Sequence, residues 1–190
     1  MHTIFYWLSV ILMALGFAPY IKAIVKDGAQ PKRTSWFIWL LLDLITYSGM
    51  VAADSVNGHI RVAVLGALAI SILSIKFGKN GWTKIDTLSV IGAALAIGLW
   101  KMFDSPTVGL VTSLIATIIA AIPTFESGWK TPEKEDKLGW TLFWLSCIAA
   151  TIAAESWAPE DSAQPLTFLF IESVMMWLLF VRPWKNTSPQ

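Results

Sequence analysis

The feature that most constrains this 190-residue chain is a series of long apolar stretches, each closed by polar punctuation. A helix needs about 20 mostly apolar residues to cross a hydrocarbon core about 30 Å thick. That ruler predicts seven spans: Thr3–Val25, Ser35–Ala53, His59–Phe77, Asp86–Phe103, Pro106–Phe125, Leu138–Trp157 and Pro165–Val181. Between them stand KDGAQPKR, DSVNG, KNGWTK, DSP, ESGWKTPEKEDK and APEDSAQP. The stretches are continuous rather than alternating, which favours helices over barrel strands. Charged residues make up 14% of the chain, against about 25% in soluble proteins, too few to keep a soluble surface wet. The expected fold is an all-α membrane protein of seven transmembrane helices.

Lysine and arginine orient the spans. Loop one (Lys22, Lys26, Lys32, Arg33), loop three (Lys76, Lys79, Lys84), loop five (Lys130, Lys134, Lys137) and the tail (Arg182, Lys185) hold all but two of the 14 basic residues. The exceptions, Arg61 and Lys101, fall on the other face. The N-terminus is therefore expected outside and the C-terminus in the cytoplasm. The first apolar run lacks a basic segment before it and reads as a retained span, not a cleaved leader. Short loops suit a bacterial inner membrane.

Several functions are excluded. A net charge of +1 with no basic stripe gives nucleic acid nothing to bind. Cys147 is the only cysteine, and His2 and His59 cannot build a familiar zinc or haem site, so no metal and no cofactor is expected. Span seven has no lysine for a retinal Schiff base. Hydrolase chemistry at Cys147 or Ser146 needs an imidazole, which no span is expected to provide. The partners that remain are the lipid bilayer and a small-molecule substrate; oligomeric state is open.

A shift of 104 residues, without gaps, sets Pro19, Lys26, Trp36 and Leu41 on Pro123, Lys130, Trp140 and Leu145. Each copy reads as a proline near the end of a span, a short basic loop and a Trp-led next span. Spans one to three map onto five to seven, and span four is left as a linker. Three spans plus a linker make both copies enter the membrane from the same side, a parallel repeat. The expected units are a first triple-helix bundle (1–80), a linker helix (81–105) and a second triple-helix bundle with a short cytoplasmic tail (106–190).

The segment GFAPYIKAIVKDGAQPKRTSWFIWLLLD, with its proline-ended span, basic loop and acid within the next span, resembles the PQ-loop motif. The 3+1+3 plan resembles the SWEET and PQ-loop superfamily of seven-helix transporters. The pair Trp36 and Trp39 is similar to one in bacterial nicotinamide-riboside carriers. The resemblance implies alternating-access transport, with Pro19 and Pro123 as hinges of the cytoplasmic gate. Read from position alone, the two prolines serve equally well as helix ends. Glutamine is absent from both motifs, since Tyr20 follows Pro19 and Thr124 follows Pro123. The resemblance is to the superfamily plan and names no substrate.

Asp43 lies halfway along span two, and an aspartate at mid-helix costs roughly 2.5 to 3.5 kcal/mol to insert. Glu172 stands near the middle of span seven. Both read as proton or substrate sites, or else as neutral carboxyls bonded between helices. The shift pairs Asp43 with Cys147 and Glu172 with Leu68, so their coupling would be asymmetric. Most of the 11 tryptophans read as interfacial belt. Trp36 with Trp39 and Trp140 with Trp144 share helix faces and read either as belt or as stacking walls for a ring-shaped solute. The function expected is transport of a small polar or ring-containing metabolite by alternating access, with proton coupling open to the acids, and no enzymatic activity. The alternatives are a binding or receptor protein of the same fold and a membrane enzyme acting on lipid or prenyl groups.

Overall fold

Polar punctuation becomes helix caps. In the computed structural model, which describes residues 2–182, Asn57 accepts the Ile60 N–H at the start of the third helix at 2.9 Å. Thr83 and Asp86 form a reciprocal capping box on the fourth, and Ser105 with Pro106 opens the fifth. The helices are α1 His2–Lys26, α2 Arg33–Ala52, α3 Gly58–Phe77, α4 Lys84–Phe103, α5 Pro106–Lys130, α6 Lys137–Ile152 and α7 Pro159–Met176. A π-helical turn, Trp177–Val181, prolongs α7. Trp184 and Lys185 lie outside the described residues.

Six of these helices are long and apolar enough to cross a membrane, counting α7 through Val181. The exception is α6, whose 16 residues rise about 24 Å. Its expected outer part, Ala153–Trp157, is not helical. Two further boundaries move. Helix α5 continues past Phe125 to Lys130. Helix α7 begins at Pro159 rather than Pro165, because a proline at the first position with Glu160 and Asp161 behind it is a strong helix start. Hydropathy alone hides that signal. Pro19 and Pro123 do not end their helices: each is followed by seven more helical residues, to Lys26 and Lys130.

The helices pack in a closed order. Helix α3 lies between α1 and α2, and α7 between α5 and α6. The most extensive contact of α1 is with α6, and that of α2 is with α5. The ring therefore runs α1, α3, α2, α5, α7, α6 and back to α1, with α4 outside it against α5 and α2. A shift of 104 residues carries α1 onto α5 at both boundaries, the start of α2 onto that of α6, and the end of α3 onto Val181. Burial follows the same register: Gly58 and Ser162, Ile60 and Gln164, Ala67 and Ile171 are all buried.

Outward stripes are apolar, as Leu65, Leu68, Ile72 and Ile75 on α3 and Leu166, Phe170, Trp177 and Phe180 on α7 show. The buried positions include Asp43, His59, Gln164 and Glu172. Apolar outside and polar within is the arrangement lipid solvent demands. We call the end with connections 27–32, 78–83 and 131–136 the basic end. There Lys79 N–H donates to Pro31 O at 3.0 Å, Arg33 N–H to Lys79 O at 3.1 Å, and Lys32 pairs with Asp86 at 2.5 Å. These contacts tie the start of α2 to the α3–α4 connection.

Candidate functional site

Asp43 is ten residues from the start of α2 at the basic end, and Glu172 nine from Val181 at the same end. At 1.5 Å per residue both stand about 14–15 Å in. They are 3% and 7% exposed, and Asp43 Oδ1 and Glu172 Oε2 have no hydrogen-bond partner among the described residues. Ser71 Oγ on α3 is buried in the same condition. Buried polar atoms are nearly always satisfied, so these three oxygens on α2, α3 and α7, with Asp136 Oδ2 at the start of α6, are exceptions that ask for a reason. Other small polar groups, by contrast, are satisfied locally. Thr112, Ser113 and Thr117 bond to carbonyls of their own helix, and Thr46 meets Ser113 across the α2–α5 contact at 2.8 Å.

The four tryptophans of the two Trp pairs do not converge. Trp36 lies against Tyr20 of α1 with centroids 5.4 Å apart. Trp39 shares a small recess with Ser35, Ile38, Ile85, Asp86, Ser89 and Ala120, between α2, α4 and α5. Trp140 meets the edge of Phe143 and donates to Glu135 at 3.1 Å. Trp144 donates at 2.9 Å to Ser173, which lies on the outward stripe of α7. A second recess, of about 250 Å³, is lined by Leu44, Ile45, Ser48, Ile97, Trp100 and Lys101 in the groove between α2 and α4. Asp43 does not line it.

Residue-type reasoning passes over a connected set of buried and part-buried polar groups. Ile60 N–H holds Asn57 Oδ1, which leaves the Asn57 amide nitrogen to donate to Gln164 Oε1 at 2.8 Å. The Gln164 nitrogen then donates to His59 Nδ1 at 2.9 Å. An imidazole that accepts at Nδ1 carries its proton at Nε2, and Nε2 faces the Cys147 sulfur at 3.4 Å. Phe168 packs its ring edge-on to His59, centroids 5.4 Å apart. His59, Gln164 and Cys147 are fully buried.

This file of hydrogen-bonded side chains, from Asn57 through Gln164 and His59 to Cys147, corrects the expectation that no span offers Cys147 an imidazole. Because α6 is short, Cys147 lies only five residues from its end, within reach of the second residue of α3. The polarity is nevertheless wrong for a nucleophile: the ring points its N–H at the sulfur, so it has no lone pair there to take the thiol proton. Two signals stood in the sequence, a histidine at the head of an apolar span and a glutamine in the polar stretch after Pro159. Neither shows its partner without the tertiary fold.

Among the described residues, no group of three or more His, Cys, Asp or Glu side chains is placed to hold a metal ion. Comparison with family models, with curated proteins and with solved structures gives no match.

Proposed function

We propose that this chain is a seven-span membrane carrier that moves a small polar or ring-containing metabolite by alternating access. In this reading, two like-oriented bundles, 1–80 and 106–190, are joined by the linker helix 81–105. Helix α6 crosses despite its length, with the 153–158 connection completing its path. The N-terminus lies outside and the C-terminus in the cytoplasm of a bacterial inner membrane, as the bias of basic residues favours.

One observation carries the proposal. Asp43 and Glu172 are buried at like depth along two helices of the six-helix ring, each with an unpartnered carboxyl oxygen. Keeping two such acids within an apolar fold costs stability, and natural proteins bear that cost at functional sites. They would bind a proton or the polar end of the substrate. The seven helical residues beyond both Pro19 and Pro123 support a hinge inside each helix rather than a helix end. Trp36 and Trp140 remain candidates for ring contacts at the basic end. Trp39 and Trp144 are weaker ones, given the recess and the outward serine they meet.

The test starts with a thermal-shift screen of small metabolites on purified protein, followed by uptake of the hits into sealed proteoliposomes. Asp43→Asn is expected to abolish or uncouple uptake while the protein still folds. Unchanged uptake by that variant at every pH would remove Asp43 from the mechanism, and binding without uptake in the parent protein would favour a receptor.

A further inference from the structure

The two ends of the ring are held differently. At the end opposite the basic one, polar links join the first three helices to the last three. Ser55 Oγ donates to Glu160 O at 3.0 Å, Asn57 to Gln164 and Gln164 to His59, and His59 faces Cys147. At the basic end no hydrogen bond among the described residues joins the two sets. Toward that end α1 meets α6 through Gly16, Phe143 and Gly139.

The file from Asn57 to Cys147 has a single polarity, set by the Ile60 N–H. A proton added at His59 Nδ1 would set one donor against another, the Gln164 NH₂. Turning the Gln164 amide relieves that conflict and creates the same conflict with the Asn57 NH₂. Turning Asn57 as well removes the acceptor from the Ile60 N–H at the start of α3. Every arrangement of the protonated ring therefore loses a buried or part-buried hydrogen bond.

We propose that His59 is a proton-binding site and that loading it unlatches this end of the ring. Acid on that side would then open the pathway. The latch rests on the hydrogen-bond polarity; the pathway it opens rests on the carrier reading.

The other ionisable groups around His59 leave it in that role. The Glu160 carboxylate of α7 accepts from Thr107, and the Glu160 backbone carbonyl accepts from Ser55. Glu172 lies eight residues along α7 from Gln164, Cys147 is the sulfur already described, and Tyr6 of α1 packs by Gly58. Asp54 stands in the connection before α3, and Arg61 is on the exposed side of α3. Of these groups, only His59 and Cys147 belong to the file, and His59 alone stands within it, between Gln164 and Cys147.

Cys147, the only cysteine, is a built-in reporter of unlatching. The experiment measures its labelling by dipyridyl disulfide, which stays reactive in acid, on the full chain in sealed liposomes. Labelling is expected to rise on the order of tenfold between about pH 8 and about pH 5. His59→Asn keeps an acceptor for Gln164 and takes up no proton, so its labelling is expected to stay slow throughout. Gln164→Glu offers a carboxylate that accepts from both Asn57 and protonated His59, and it should also stay slow in acid. Equal labelling of the parent protein at both pH values would overturn the proposal. So would an undiminished acid rise in either variant; if His59→Asn does not fold, Gln164→Glu decides. Labelling needs no transported solute, so an acid rise without uptake keeps the latch and dismisses the carrier, and uptake without the rise does the reverse.

Discussion

Gly16 of α1 lies beneath the ring of Phe143, where an added Cβ would sit 2.5 Å from two ring carbons. Its counterpart 104 residues on, Ala120 of α5, shares a recess with Trp39, the counterpart of Phe143. Ser9 and Ser113 correspond in the same way, and each donates at 2.8 Å to the carbonyl three residues before it. Each also touches the neighbouring helix: Ser146 donates to Ser9 O, and Thr46 meets Ser113 Oγ. The ionisable positions diverge. Asp43 corresponds to Cys147, and Lys32, clamped to Asp86, corresponds to Asp136, the N-cap of α6. The two halves thus repeat the crossings that set backbone spacing and differ in the groups that carry charge. A symmetric scaffold is holding an asymmetric interior.

Crowding the α1–α6 crossing should have the largest effect. Gly16→Leu is expected to cost about 3 kcal/mol, at the upper end for overpacking, whereas Ala120→Gly should cost about 1 kcal/mol through helix propensity. Thermal unfolding in detergent measures both, and equal losses would contradict the crowding assigned to Gly16 beneath Phe143.

The charged positions come next. Lys32→Ala leaves the buried Asp86 with only its Thr83 partners and should cost about 1–3 kcal/mol. Asp136→Ala removes a cap worth about 1 kcal/mol and with it the buried, unpartnered Asp136 Oδ2, so its net cost should be smaller. A larger loss at Asp136 would assign it a partner that the helix start does not provide.

The serines give the smallest and sharpest contrast. Ser113→Ala deprives Thr46 of its side-chain partner and should cost about 0.6 kcal/mol, typical of a hydrogen bond between membrane helices. Ser9→Ala keeps the backbone carbonyl that Ser146 uses, so its effect should stay within about 0.5 kcal/mol of zero. The reverse order in unfolding measurements would contradict the assigned bonds.

Much of the scaffold was legible because lipid enforces simple rules. Apolar length located all seven helices, and the recurrence of Pro19, Lys26 and Trp36 at Pro123, Lys130 and Trp140 gave the register that the boundaries of α1 and α5 follow. Hydropathy failed where capping governs, at Pro159 and at Ile152. Asp43 and Glu172 stood out because charge in an apolar run is costly wherever its partners lie. His59 did not, because its significance is relational: it depends on Gln164 and Cys147, about 90 to 105 residues away in the chain, and on the direction of each bond between them.

The most direct measurement uses an Asp43→Cys variant in a Cys147→Ser background, with Leu44→Cys as its neighbour control. Asp43 is buried, 3% exposed, whereas Leu44 is 41% exposed. A charged, water-soluble thiol reagent is expected to label position 43 in liposomes and spare position 44, as a pathway open to water requires. Labelling of neither, or of position 44 alone, would place Asp43 in a dry interior and contradict the account.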